Sequence, residues 1–228
     1  MQPFPTRRRI FLMRHGEVSY VEQGRPVPPE GVALNQHGRD QAAAAALALA
    51  GVAFDRVVTS GLPRTVETAR AIVGARGLPI EELPDLREIR GGRIGHLPPD
   101  ELRRTFVDAL TRPLEPHDTF LLGETFGGFR DRVLPAFHAL LADPSWRIML
   151  AVLHGAVNRL LIADLMGADL RGFGHLEQDA GCINLIDLDD SGYGIVRLLN
   201  YTPYNPLKSG LDLTTMERYF LEFARRDE

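Results

Sequence analysis

The chain has one cysteine, Cys182, in 228 residues. It therefore cannot form an intramolecular disulfide, and a reducing compartment is expected. It has no apolar run approaching the ~18 residues that span a bilayer, and its N-terminus carries charge without the apolar stretch of a secretory signal. These absences predict a soluble cytoplasmic protein with no membrane partner. Strong charge is missing too: the net charge is -4 and dispersed, which leaves no electrostatic footprint for nucleic acid or an acidic lipid surface. The one positive run, Arg7-Arg8-Arg9, stands before an apolar stretch and reads as the solvated start of a strand. No internal repeat and no low-complexity linker divides the chain. With 44% apolar residues, residues 1–228 are expected to form a single large α/β domain. Oligomeric state is left open by the sequence, a homodimer included.

What is present begins with "FLMRHGEV", where an apolar run stops at Arg14, His15 and Gly16. Ile10 to Met13 reads as a strand that is apolar on both faces. Alanine-rich residues 38–50, ending at Gly51, read as a helix packed closely on a sheet. Residues 54–59 form a second expected strand, and Pro63 opens a helix that stops near Gly74. Residues 77–99, with repeated Gly and Pro, read as strand plus loop. Helical patterns follow near 99–111 and at 126–142, separated by "TRPLEPHDT". Residues 148–153 are another apolar strand and 156–166 a helix. Two strands at 182–188 and 193–199 flank "DDSG" as a hairpin, and a last amphipathic helix occupies 214–224. Doubly apolar strands alternating with helices predict a three-layer α/β/α sandwich around a mostly parallel sheet. In such sheets the site lies beyond the carboxyl ends of the strands.

His15-Gly16 has a counterpart. "IMLAVLHGA" ends a second apolar strand with His154 and Gly155, and a helix begins there. The strand ending in "TSGLPRTVETA" places Arg64 in the first turn of its helix. Two arginines and two histidines at strand ends suit a multiply charged anion, because the guanidinium fork matches phosphate oxygens. Glycine admits close backbone approach, and a helix N-terminus offers free N–H groups. A neutral imidazole with one nitrogen held as a donor is a competent nucleophile toward phosphorus. A proton source for the leaving oxygen is available in "LREIRGGRIG", where Glu88 sits in a glycine-rich loop.

Taken in order, "LMRHGEV", "SGLPRTVET", "LREI" and "LHGAVNR" resemble the histidine phosphatase superfamily, the phosphoglycerate mutase-like family, from about Ile10 to Asn200. The resemblance implies that His15 accepts the phosphoryl group and that Arg14, Arg64 and His154 hold its oxygens, helped by the backbone at Gly155 and Ala156. It implies that Glu88 protonates the leaving group and then activates water. Glu17 and Glu67 match family positions and are taken as structural. Neither a metal nor another cofactor is implied, and the partner would be a small phosphorylated substrate.

The pattern departs in one place. Family members commonly carry Asn six residues after the nucleophile, where this chain has Val21; either Ser19 substitutes in the phosphate pocket, or the pocket opens toward a bulkier substrate. Motifs of the mutases' sugar-acid pocket are absent from "GRPVPPEGVALNQHG". The leading expectation is therefore a histidine acid-type phosphatase, a metal-independent phosphomonoester hydrolase. A phosphoglycerate mutase-type phosphotransferase and a silent phosphate-binding regulatory module are the alternatives. A dinucleotide-binding protein is disfavoured, since no G-x-G-x-x-G follows the first strand. "DLDD" at 187–190 falls in a turn and makes a poor metal site. Arg25, Arg90, Arg93, His96 and His117 lie in loops where each either meets a second anionic group or is simply solvated.

Overall fold

In the computed structural model, residues 7–22, 25–94 and 97–224 are described, the side chains of residues 21, 22, 25, 26 and 99 excepted. The apolar run ahead of His15 is a central strand, β1 (Arg8–Arg14). A two-residue ribbon, β2 (Val21–Glu22) with β3 (Arg25–Pro26), follows it. The main sheet is completed by β4 (Arg56–Thr59), β5 (Glu81–Glu82), β6 (Ile148–Leu153), β7 (Ile183–Leu188) and β8 (Gly194–Tyr201). Its order is β5-β4-β6-β1-β7-β8. The first four of these run parallel, and the β7-β8 hairpin closes one edge antiparallel. The sheet is thus mostly parallel, as expected.

The apolar runs are continuous because helices cover both faces of the sheet. In β6, Met149, Ala151 and Leu153 face one core, while Leu150 and Val152 face the other. The first core is completed by α4 (Phe126–Ala142) and α5 (Gly155–Leu165), and the second by α1 (Gln36–Ala48) and α2 (Pro63–Val73). This is a three-layer α/β/α arrangement. α1 starts two residues before its expected position because Asn35 caps it, its side chain accepting from the Gly38 N–H at 2.8 Å. The pattern near 99–111 resolves into α3 (Pro99–Phe106) followed by a 3-10 turn over residues 108–110. The last helix is α6 (Thr215–Ala224).

One expectation holds in part and another is corrected. Arg7 and Arg9 are exposed at the start of the strand, as expected, while Arg8 is half-buried and both Arg8 and Arg9 also bind neighbouring segments. Arg9 makes a two-pronged ion pair with Asp187 at 2.7 and 3.0 Å, and Arg8 donates to the Leu141 and Asp143 carbonyls with its guanidinium over Trp146. Neighbouring strand and helix ends supply acceptors that are distant in sequence. Gly16 makes room for the protein rather than for a ligand. A Cβ there would lie 2.4 Å from the Gly38 carbonyl oxygen, and one on Gly38 would lie 2.1 Å from that of Glu17. The start of α1 is pressed against the loop after β1, with backbone on both sides. Gly16→Ala is accordingly expected to destabilise the fold by about 1–3 kcal/mol, read as a lower urea midpoint. An unchanged midpoint would refute the close approach.

Candidate active site

β1, β6 and β4 end side by side, and the first residue beyond each is His15, His154 and Ser60. Parallel register sets this: Arg14 pairs with Leu153, and the His15 N–H donates to the Leu153 carbonyl at 3.0 Å. The His15 ring Nδ1 lies 2.7 Å from the Gly16 carbonyl oxygen. A carbonyl can only accept, so Nδ1 carries the proton and Nε2 keeps its lone pair. Arg64 Nε donates to that Nε2 at 3.2 Å. His15 is only 2% exposed. Burial, and then the Arg64 and Arg14 charges, hold its pKa well below the usual imidazole range, so the ring is neutral at neutral pH.

Arg14 and Arg64 are buried as well. Arg64 leaves the first turn of α2, which Pro63 opens, and its Nη1 also donates to the Pro29 carbonyl. Arg14 reaches the Gln178 carbonyl and Thr215 Oγ1 through Nη1 and the Tyr219 hydroxyl through Nη2. Its Nε has no hydrogen-bond partner among the described residues. His154 stands edge-on to His15, ring centroids 5.2 Å apart. Its Nε2 meets Ser60 Oγ at 2.7 Å, and its Nδ1, like Arg14 Nε, is buried without a partner among the described residues. Burial and the neighbouring Arg64 also push His154 well below the usual range.

Glu88 approaches from the loop after β5. Its Oε1 accepts from the Ile89 N–H at 3.0 Å and its Oε2 from the Ala156 N–H at 3.2 Å. The Ala156 amide, expected to face phosphate, is therefore bonded to Glu88. Burial raises the Glu88 pKa, against the lowering effect of those two amides and of Arg14 and Arg64. The loop is clamped from α4. Arg132 donates to the carbonyls of Asp85 and Arg87 at 2.8 and 2.9 Å, and is itself paired with Glu124 at 3.0 Å.

A cavity of about 590 Å³ is lined by Arg14, His15, Arg64, Glu88, Gly155 and Ala156. His154 lies behind this wall, fully buried. Ser19, expected in the phosphate pocket, is corrected: its hydroxyl accepts from the Asn35 side chain at 3.3 Å, and Tyr20 lines the cavity instead. The cause is the loop's own direction, since the Asn35 cap draws Ser19 toward α1. Glu17 accepts from Asn35 at 2.9 Å and Glu67 from the Leu34 N–H at 3.2 Å; both brace this loop. Of the loop cations, Arg90 lines the cavity, while Arg93 and His117 are exposed elsewhere. His96 and the side chains of Val21 and Arg25 lie outside the described residues. Sequence reasoning missed Gln178, Thr215 and Tyr219, which hold Arg14, and the Arg132 clamp. No motif marks them. Among the described residues no three His, Cys, Asp or Glu side chains are grouped to hold a metal ion, and no helix is long and apolar enough to cross a membrane.

Comparison with known proteins accords with this geometry. The profile of the histidine phosphatase superfamily (branch 1) matches residues 10–201, and the chain belongs to that family. It is 30% identical over 201 residues to the adenosylcobalamin/alpha-ribazole phosphatase of Escherichia coli, covering 84% of this chain and 95% of that one. It is also 30% identical over 166 residues to the probable phosphoglycerate mutase GpmB of Serratia proteamaculans, covering 70% of this chain and 75% of the other. Among solved structures, the alpha-ribazole phosphatase of Shigella flexneri superposes with a TM-score of 0.71 at 30% identity, covering 84% of this chain and 96% of that chain.

Proposed function

We propose that this member of the histidine phosphatase superfamily is a phosphomonoester hydrolase that works through a phosphohistidine on His15. The observation that carries the reading is the state of the His15 ring: Nδ1 is fixed as donor on the Gly16 carbonyl, and Nε2 is unprotonated beside Arg64. In the first step Nε2 attacks phosphorus, and the P–O ester bond breaks as the leaving oxygen takes the Glu88 proton. In the second, the Glu88 carboxylate takes a proton from water, whose oxygen attacks phosphorus. The P–N bond then breaks, releasing inorganic phosphate and restoring both residues.

Arg14 and Arg64 supply the positive charge that the phosphoryl oxygens require, so the reading needs no metal. Arg14 Nε is a donor without a partner among the described residues. His154, which meets Ser60 through Nε2, keeps a buried Nδ1 without a partner among the described residues. Cys182 is no rival nucleophile, because burial pushes its thiol up to about 12. A buried free thiol also suits a reducing cytoplasm. We place the enzyme with the acid-type phosphatases because its working state pairs an unprotonated His15 with a protonated Glu88. Burial holds His15 well below the usual histidine range and raises the Glu88 pKa.

Hydrolysis and phosphoryl transfer share the phosphohistidine, and the choice depends on whether water or a held acceptor reaches it. The test supplies 3-phosphoglycerate with catalytic 2,3-bisphosphoglycerate, and separately a panel of phosphate monoesters. Phosphate release from the monoesters with negligible isomerisation is the expected result. Rapid formation of 2-phosphoglycerate with little free phosphate would establish the mutase reading instead. No turnover of any kind would indicate a binding module.

A further inference from the structure

The family match ends at residue 201, yet the chain beyond it returns to the site. In α6, residues 215, 216, 219 and 223 recur at helical spacing along one face, and all four line the cavity. Thr215 and Tyr219 bond the Arg14 guanidinium. Met216 and Phe223 extend an apolar wall, which α3 continues: Phe106 packs on Phe220 and Phe223 with ring centroids 6.4 and 5.7 Å apart. Ile94, Leu102 and Phe106 form a buried cluster with these α6 residues. Leu110, Phe120 and Leu121 complete the apolar lining of the same cavity that holds His15.

Two features decide what such a space accommodates. A cavity of about 590 Å³ falls in the range that encloses a whole organic ligand of some size, so a phosphate group uses only a fraction of it. Three of the other cavity cations stand beside carboxylates, and the fourth, Arg87, donates to the Ser60 carbonyl at 3.4 Å. Arg132 pairs with Glu124 at 3.0 Å and Arg159 with Glu177 at 2.8 Å, while Arg90 lies 3.8 Å from Glu124. A second anionic group on the substrate would have to displace one of these carboxylates or compete for Arg87, whereas an apolar group is received by surface that loses only water.

We propose that the substrate is a phosphate monoester of an alcohol bearing an aromatic or similarly bulky apolar group, and that α3 and α6 wall the subsite that selects it. This rests on the hydrolase reading and adds the class of leaving group. It also assigns α6 two roles, holding Arg14 by one part of its face and the leaving group by another.

The experiment compares 2-phenylethyl phosphate with ethyl phosphate, two alkyl esters that make similar demands on proton donation. The wild type is expected to favour the phenylethyl ester about tenfold or more in kcat/KM, and the ratio is expected to fall toward one in Phe106→Ala and Met216→Ala. Equal kcat/KM for the two esters in the wild type would overturn the subsite, whatever the variants do. Binding of the corresponding phosphonates, followed by calorimetry, separates this proposal from the one beneath it. Tighter binding of 2-phenylethylphosphonate than of ethylphosphonate without turnover of either ester would support the subsite while the hydrolase reading falls. Equal binding of the two phosphonates would count against the subsite.

Discussion

His15→Ala is expected to lower kcat by about four orders of magnitude or more, the scale on which loss of a covalent nucleophile is felt. The size of the effect follows from the local geometry. The His154 imidazole stands edge-on to that of His15, with its ring centroid 5.2 Å away. It is fully buried, and its Nε2 is engaged by Ser60. The thiol of Cys182 stays protonated at neutral pH. Among the described residues no side chain therefore replaces Nε2 at the reacting phosphorus. Arg14 and Arg64 remain in the variant, so phosphate is still expected to bind, and product inhibition by inorganic phosphate should persist. A variant keeping more than about one hundredth of the activity would show that His15 is not the nucleophile.

Glu88→Gln is expected to cost about 10²–10⁴-fold in kcat on an alkyl phosphate and no more than about tenfold on p-nitrophenyl phosphate. The contrast arises because p-nitrophenolate leaves with little help from a proton, whereas an alkoxide does not. The pH profile adds a second readout. Burial raises the Glu88 pKa, so the protonated acid survives to higher pH than an ordinary carboxylic acid, and kcat/KM on alkyl phosphates falls as pH passes above that raised value. The substrate's own phosphate ionises with a pKa of about 6, and that contribution persists in both proteins. The limb lost on going from wild type to Glu88→Gln is the part due to Glu88. Equal losses on both substrates would mean that Glu88 only binds.

Much of this was legible in the residues because local patterns carry it. A strand covered on both faces must be apolar throughout, so β1 and β6 stand out, and the polar residues immediately after them must lie at the strands' carboxyl ends. His15 and His154 follow from that alone, and Arg64 from its place in the first turn of the helix that Pro63 opens; Glu88 was legible as a proton source in its glycine-rich loop, and the resemblance added its second role in activating water. What escaped depends on long-range packing. Arg14 meets Tyr219 across 205 residues, and no periodicity in either segment announces the other. Arg132 is one of two arginines on α4, and only its reach to the loop carrying Glu88 sets it apart. Ser19 was misplaced because a side chain five residues beyond a strand is aimed by the loop, and here the Asn35 cap aims it at α1. Gly16 was correctly singled out for close approach, though the partner is the Gly38 backbone.

The most direct measurement of the central claim is rapid-quench labelling with a substrate carrying radiolabelled phosphate. The mechanism requires transient label on the protein that is acid-labile and alkali-stable, as a phosphoramidate is, located on the peptide containing His15 and absent from His15→Ala. Acid-stable label, label retained in His15→Ala, or turnover with no protein-bound phosphate at any time point would contradict it.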